Sequence, residues 1–400
     1  MNSGTKQKRI VLGVCGGIAA YKSVELLRLL TKEGMSVRVI MTRHAREFVG
    51  PVTFEALSGQ PVCTDLFEKG GDASIRHIDW ARESDAVVIA PATANILGKL
   101  ANGIADDALS TFMLAVTSPK VLCPSMNTHM YESKAVQRNL ERLKADGYLI
   151  LEPGTGELAC GISGPGRLPE PNFILDRLIS LLSPKDLKGK RVIVTAGPTR
   201  EPMDPVRFIS NPSSGKMGYA VAKAAEQRGG DVILITGPTY LPDPLNINVI
   251  HVKTAREMAK AVFEHMDASH IIIKTAAVSD FRPKEEAGQK IKKETDQLVI
   301  YLERNQDILK EVGGRKKDHV LIGFAAETEE LEKNAGKKLK EKNLEMIVGN
   351  LVDHPDFGFG SDLNKVTFFY KDGQKEPLPP LEKDAVAHIL LDRIVDRYLN

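Results

Sequence analysis

Cysteine is scarce in this chain and confined to one part of it: Cys15, Cys63, Cys123 and Cys160 all lie within the first 160 of 400 residues. No C-x-x-C spacing occurs, which argues against a structural zinc site or a disulfide framework and predicts a reducing, cytoplasmic setting. Any chemistry beyond residue 160 must use groups other than thiols. An excess of charge of one sign is also missing. A net charge of +2 offers no broad basic surface for nucleic acid, although small basic patches for phosphorylated ligands remain open. No apolar run reaches the 18 residues of a membrane-spanning helix. Lys6, Lys8 and Arg9 ahead of Ile10–Ala20 imitate a signal peptide, but Gly13, Gly16 and Gly17 interrupt that run and an amphipathic pattern follows it directly. A strand, a tight turn and a helix explain it better.

What is present is a soluble composition, 42% apolar and 26% charged, in a chain long enough for two domains. Short apolar runs at Arg9–Val14, Ser36–Met41, Ala86–Ala90, Val121–Pro124 and Tyr148–Leu151 alternate with helical patterns at 18–32, 94–100, 106–116 and 132–146. The same alternation resumes at Arg191–Ala196 and continues through Asp231–Thr236, His270–Ala276, Val320–Ala325 and Glu345–Val348, ending in a hairpin near the Lys371-Asp372-Gly373 turn. Two doubly wound, Rossmann-like α/β domains are expected, 1–187 and 188–400, joined by the polar stretch Ser183–Lys190.

In the first half, Gly13, Gly16 and Gly17 separate a strand from a helix start, where backbone amides cradle phosphate. The spacing is G-x-x-G-G, and the second strand runs into Met41-Thr42 with no acid for a ribose hydroxyl. That favours a mononucleotide such as FMN over a dinucleotide, although a plain tight turn needs the same glycines. Pro91-Ala92-Thr93 and Pro124–Asn127 follow later strands, where open α/β sheets place ligands. His77 is by itself an ordinary surface or core histidine. Cys160 and Arg167 lie in a stretch, Gly154–Arg167, with five glycines and a proline. Such a stretch is expected to be a mobile, lid-like loop without strand or helix.

In the second half, Asn211–Gly218 places Gly215-Lys216 at a helix start. Ser210 and Met217 stand where a Walker A motif needs glycine and a hydroxyl, so only a generic phosphate-binding helix start remains. Asp280 follows a strand, and Lys290, Lys292 and Lys293 close the charged run after it. An acid beside clustered lysines fits a metal-triphosphate site, and a solvated loop is the plainer alternative.

The run P-x-M-N-x-x-M at 124–130 with G-x-G-x-L-A-C-G-x-x-G-x-G-R at 154–167 resembles the flavin-dependent cysteine decarboxylases. T-A-G-P-T-R-E-P-x-D-P-V-R, S-N-x-S-S-G-K-M-G, A-A-V-x-D-F-R-P with K-I-K-K, and G-F-A-A-E-T resemble the phosphopantothenate-cysteine ligases. From about Arg9 to Tyr370 the chain is similar to the bifunctional decarboxylase/ligase family of bacterial coenzyme A biosynthesis. The resemblance implies a flavodoxin-like flavoprotein domain followed by a ligase domain. FMN would be held at Gly16, Gly17, Ile18, Thr42, Pro91, Ala92 and Thr93, with Asn127 on the substrate carboxylate, His77 as base or orienting group and Cys160 as acid. Losing carbon dioxide from a cysteinyl carboxylate leaves a carbanion, and a flavin supplies the electron sink by oxidising the thiol carbon. In the ligase half, CTP with Mg2+ would activate 4'-phosphopantothenate as an acyl cytidylate before cysteine attacks. Lys290 would stabilise the transferring phosphate, Asp280 would hold the metal-triphosphate and Asn211 would contact the cytidylate. Asn305, Gln306, Asp307, Ile308, Phe324, Lys338 and Lys342 would line the nucleotide site.

Two positions depart from the family pattern: N-P-D-I becomes Asn305–Ile308 with Gln306, and Glu345 replaces an aspartate. The family assembles its flavin sites between subunits, which implies a homo-oligomer. A flavin-binding regulatory or interaction protein with an inactive nucleotide module is the alternative, and intact His77, Cys160 and Lys290 argue against it. A dinucleotide-dependent dehydrogenase or epimerase is opposed by the missing G-x-G-x-x-G.

Overall fold

The computed structural model describes residues 7–66, 76–158, 161, 163–292, 298–327, 330–351 and 360–399. The chain divides into two compact units, Met1–Leu182 and Ser183–Asn400.

The first unit is built on β1 (Arg9–Val14), β2 (Ser36–Met41), β3 (Ala86–Ala92), β4 (Lys120–Pro124) and β5 (Leu149–Ile150). They form one parallel sheet in the order β2-β1-β3-β4-β5. Every residue of β3 is buried, as a strand covered on both faces requires. One face packs Leu26, Leu27, Leu30, Ile174 and Leu178 from the helices Ala20–Lys32 and Pro171–Leu182. The other packs Ile96, Leu97, Leu109, Phe112 and Leu140. The strand order reverses between β1 and β3, which opens a crevice at their carboxyl ends.

The glycine-rich stretch is not the strandless loop expected of it. It contributes β6 (Gly154–Glu157) and β7 (Ser163–Arg167), paired antiparallel. Gly164 and Gly166 are small because a neighbouring segment approaches there, as described below; flexibility is not their only use.

The second unit contains β8 (Arg191–Ala196), β9 (Arg200–Pro202), β10 (Phe208–Ser210), β11 (Asp231–Thr236), β12 (Asn248–His251), β13 (Ile271–Lys274), β14 (Phe281–Pro283), β15 (Leu302–Arg304), β16 (Val320–Glu327), β17 (Met346–Leu351), β18 (Leu363–Asn364), β19 (Val366–Tyr370), β20 (Lys375–Pro377) and β21 (Leu381–Glu382). Eight of these form one sheet in the order β12-β11-β8-β13-β16-β17-β19-β20. It is parallel as far as β17, and the closing hairpin β19–β20 is antiparallel. The switch point lies between β8 and β13. Helices Lys216–Gln227 and Lys383–Tyr398 cover one face, and Ala255–Met266, Ile308–Arg315 and Leu331–Glu341 cover the other. Leu187 is fully buried in this unit's core, and the Arg228 guanidinium, 3% exposed, joins Asp186 at 2.5 Å to Asp392 at 2.7 Å.

Candidate functional site

The first crevice gathers three segments far apart in sequence. A cavity of about 390 Å³ is lined by Gly17, Ile18, Ser125, Met126, Asn127, Glu157 and Arg167, among others, a volume in the range of small-molecule sites. On one side the helix Ala20–Lys32 begins without any side-chain cap on Ala19; its Ala20 and Lys22 amides donate to the Gly17 and Ala19 carbonyls at 2.9 and 3.0 Å, and the positive end of the helix dipole still faces the opening. Gly16 is glycine for packing, since a Cβ there would lie 2.4 Å from His44 Cβ, whereas at Gly17 the nearest atom is Thr93 Cγ2 at 3.9 Å. Thr93 caps the helix Ala94–Asn102 and adjoins that opening. Thr42, at the end of β2, donates its amide to Val14 in β1. Pro91 and Ala92 are buried in β3, and the Ala90–Pro91 peptide is cis.

On the other side, Asn127 is half-buried and its Oδ1 accepts from the His129 amide at 2.9 Å. The hairpin is seated on this loop. Met126 donates its amide to the Gly166 carbonyl at 3.0 Å, and a Cβ on Gly164 would meet the Thr128 side chain at 2.7 Å. Glu157 and Leu158, which precede Cys160 in sequence, line the cavity. Cys160 itself lies outside the described residues. His77 belongs to the helix Arg76–Glu83, and its side chain lies outside what is described. The other thiols are buried. Burial pushes Cys15 up to about 12 despite hydrogen bonds with Thr93, and it raises Cys123 as well.

In the second unit the loops after β8 and β13 run alongside one another, bridged at Pro198 and Ala277. The Ser279 amide donates to Thr199 Oγ1 at 3.1 Å. Asn211 Nδ2 donates to the Ala277 and Val278 carbonyls at 3.3 and 3.2 Å, which brings it to the loop that carries Asp280. The helix Lys216–Gln227 starts at Gly215 (φ 79°) with no side-chain cap, so it presents free amides. Lys216 does not serve as a P-loop lysine. Its ammonium is held by Asp362 at 2.7 Å and by the Gly360 carbonyl.

Asp280 is exposed and Lys290 is exposed on its loop. Asn305 is fully engaged in structure: Nδ2 donates to the Ser279 carbonyl, and Oδ1 accepts from Arg282 at 2.8 Å. Gln306 is exposed, whereas the Ile308 side chain is buried in the core, which leaves only its backbone to face a ligand. Asp307 caps the helix Ile308–Arg315 and pairs with Lys342 at 2.8 Å. Burial alone would raise its carboxyl, but the hydrogen bonds from Lys342 and the Lys310 amide hold it below the usual range. Lys338 pairs with Glu327 at 2.6 Å, and Phe324 is half-buried on β16. Asp280 is a single acid; Mg2+ ordinarily takes one or two carboxylates together with substrate phosphates.

Two family models divide the chain between them. The one described as Flavoprotein matches residues 2–183, and the DNA/pantothenate metabolism flavoprotein C-terminal domain matches residues 187–398. The coenzyme A biosynthesis bifunctional protein CoaBC of Bacillus subtilis (strain 168) is 49% identical over 391 residues, covering 97% of this chain and 96% of that protein. The chain belongs to the coenzyme A biosynthesis bifunctional family. The relative of the same name in Escherichia coli (strain K12) is 45% identical over 397 residues, covering 98% of this chain and 97% of its own. A crystal structure of the C-terminal domain of a CoaBC protein aligns at 47% identity and TM-score 0.46, covering 53% of this chain and 97% of its own.

Within this member of the bifunctional family, two charged residues near these loops receive no role from the sequence, although Asp204 stands in the T-A-G-P-T-R-E-P-x-D-P-V-R run. Asp204, with its side chain fully buried, accepts from Arg207 and from the amides of Val206, Arg207 and Ile291. Arg207 foremost, together with those amides, holds its carboxyl well below the usual range. Arg207 also donates to the Ile291 carbonyl at 2.9 Å, so the pair fixes the backbone between Lys290 and Lys292. The other is Lys274, the last residue of β13, whose ammonium is pushed down to about 8 by burial and by the Lys342 charge. A lone lysine after three isoleucines looks like a strand end; its neighbours Asp307 and Lys342 come from 33 and 68 residues away.

Proposed function

We propose that the chain carries out two successive reactions of coenzyme A biosynthesis. Its second unit joins 4'-phosphopantothenate to cysteine using CTP, and its first unit decarboxylates the resulting 4'-phosphopantothenoylcysteine to 4'-phosphopantetheine. The observation that carries this reading is the first unit's cavity, where the glycine turn, the Asn127 loop and the Cys160 hairpin meet, in a chain that both family models cover.

The first crevice suits FMN: an uncapped helix start for the phosphate, Thr42 and Thr93 hydroxyls, and the apolar faces of Ile18 and Met126. When bound, the flavin supplies the electron sink that decarboxylation needs. The chain then has three tasks. Asn127 and Arg167 hold the substrate carboxylate beside the hairpin, His77 accepts or orients the proton leaving the thiol, and Cys160 returns a proton to the product.

In the ligase half, Asn211 orients the activated acyl group. Lys290 faces the transferring phosphate, Asp280 shares Mg2+ with the triphosphate, and Lys338, Lys342, Phe324 and residues 305–308 surround the nucleotide. A homo-oligomer acting on these small molecules in the cytoplasm completes the reading. No helix among the described residues is long and apolar enough to cross a membrane.

The test is direct. Purified protein is expected to show flavin absorption, to form CMP from CTP, phosphopantothenate and cysteine with magnesium, and to release carbon dioxide. A colourless protein that forms no CMP overturns the reading.

A further inference from the structure

The helix Leu331–Glu341 packs Ala335 and Leu339 onto the second unit's sheet. Along its flank Glu332, Gly336, Lys340 and Asn343 follow one another at spacings of four and three, so they stand one above the next. They face the closing hairpin β19–β20 across a cavity of about 370 Å³. That is close to the 390 Å³ of the first unit's crevice and within the range of small-molecule sites. Its two walls are tied together at both ends. Lys375 of β20 donates to Glu332 at 2.8 Å, and Lys371 donates to Asn343 Oδ1 at 3.4 Å. Asn343 is fixed in turn, with φ 51° and its Nδ2 donating to the Gly313 carbonyl at 3.1 Å. Between the ties the floor is apolar, made by Leu339 and Phe369 at 8% and 7% exposed.

Packing within the chain does not account for Gly336. Glycine is a poor helix former, and at Gly349 close neighbours require it, since a Cβ there would meet Leu331 at 2.8 Å and Phe369 at 2.9 Å. Gly336 stands in the middle of its helix, yet a Cβ on it would meet nothing within 4 Å. The missing side chain leaves the cavity open. The charge around the mouth is mostly positive: Lys340, Lys371 and Lys375 against Glu332. Glu332 is taken by Lys375. Lys371 comes only within 3.9 Å of Glu345, a carboxylate already held by Lys316 and the Leu321 amide. Lys340 is exposed and meets no carboxylate among the described residues. An apolar floor under a cationic rim suits a molecule with an apolar body and a negative end.

We propose that this groove binds a small organic anion, an aromatic or medium-chain carboxylate, with its body over Leu339 and Phe369 and its charge against Lys340 and Lys371. None of these residues belongs to the two sites described above, and the assignment depends on neither reaction. The open space at Gly336 admits the body of the ligand, and the ties at Glu332 and Asn343 keep the walls apart and in place before it arrives.

The experiment titrates the full-length, FMN-loaded protein calorimetrically with naphthoate and with octanoate, and with naphthalenemethanol as the uncharged counterpart. Binding of at least one acid at one site per chain is expected, and naphthoate should bind about tenfold or more tighter than the alcohol, the gain from one charge-assisted contact. Gly336→Leu, which puts a side chain into the cavity, is expected to weaken acid binding about tenfold or more. Lys340→Glu combined with Lys371→Glu is expected to weaken it at least as much. Thermal melting reports folding, and Gly336→Leu should melt no lower than wild type because it removes a helical glycine. If it does melt lower, the lysine pair decides. Failure of wild type to bind either acid at millimolar concentration overturns the assignment. So does acid binding that changes less than twofold in these variants, which would place the acid elsewhere, or alcohol binding as tight as the acid. Self-association of the chain that Gly336→Leu abolishes overturns it as well, since a second copy would then cover the groove.

Discussion

Gly166 and Met126 approach so closely that a Cβ on Gly166 would fall 2.1 Å from the Met126 carbonyl oxygen. The contact is backbone on backbone, with the Met126 amide donating to Gly166 alongside it. It fixes the stem of the Cys160 hairpin on the loop that carries Asn127. Gly166→Ala has no flexible side chain to push aside and must lift the hairpin. We expect its decarboxylation rate to fall on the order of a hundredfold, the usual result of misplacing a catalytic group by about an ångström. CMP formation by the other unit should not change. A decarboxylation rate near wild type would show that the hairpin position is not critical.

Cys160→Ser and His77→Asn separate two stages of the same reaction. The serine hydroxyl is far too weak an acid to replace a thiol, so that variant should release carbon dioxide yet accumulate unreduced product. The asparagine variant should fail earlier, leaving flavin absorbance unbleached when substrate is mixed in. Stopped-flow absorbance and product analysis check both, and wild-type bleaching in the second would make His77 structural.

Asp204→Asn is expected to slow CMP formation without touching nucleotide contacts directly. The carboxylate accepts from the Ile291 amide and anchors Arg207, which holds the Ile291 carbonyl. Without it the Lys290 segment loses both anchors. A fall in kcat of at least tenfold with a smaller change in the KM for CTP is expected, because an ammonium poised at developing phosphoryl charge acts mainly in the transition state. Lys290→Gln should abolish pyrophosphate release outright and leave decarboxylation intact.

Lys274 also predicts a pH dependence of stability. Its folded value of about 8 lies below the ordinary 10.5, so between those values the unfolded chain binds more protons and stability rises with pH. Below about pH 8 both states carry the proton and the cost of the partly desolvated charge is fully present. Lys274→Met should therefore be more stable than wild type at pH 7, with the difference shrinking by pH 10. Denaturant titrations at the two pH values check this. A variant less stable at pH 7 would contradict it.

Fragments test the boundary. A piece beginning at Lys188 discards Leu187 from the core and leaves Arg228 without Asp186. One beginning at Ser183 keeps both. The longer fragment should melt higher, by several degrees for a loss of even 1–2 kcal/mol in a unit this size, and should form CMP without flavin. Equal melting temperatures would refute the importance of those contacts.

How far such features could be read in advance depends on whether their cause is local. The strands at Arg9–Val14, Ser36–Met41 and Asp231–Thr236 follow from continuous apolar runs, and the structure keeps those bounds. The helix Ala255–Met266 carries a capping box between Thr254 and Glu257, a T-x-x-E signal that is local and legible in the sequence. The β6–β7 hairpin departs from the loop expected there because glycine count measures freedom and not contact, and the contact at Gly166 comes from a segment about forty residues upstream. The glycine turn, the Asn127 loop and Asp280 were legible as strand-end positions. The reach of Asp204 to the Ile291 amide and the charges around Lys274 were not, since only the fold brings those residues near. Glu345, a departure from the family aspartate, shows the same limit: its two oxygens reach Lys316 and the Leu321 amide, holding β16 to the segment before β17.

The burial of Cys15, Cys63 and Cys123 turns the scarcity of thiols into a measurement. An alkylating reagent near neutral pH attacks thiolates, and two of these three have their thiolates suppressed by desolvation. In the folded chain, rapid labelling is therefore not expected at Cys15 or Cys123. Protection of Cys160 by substrate, followed by peptide mapping, would report occupancy of the decarboxylase site, with no need to observe turnover.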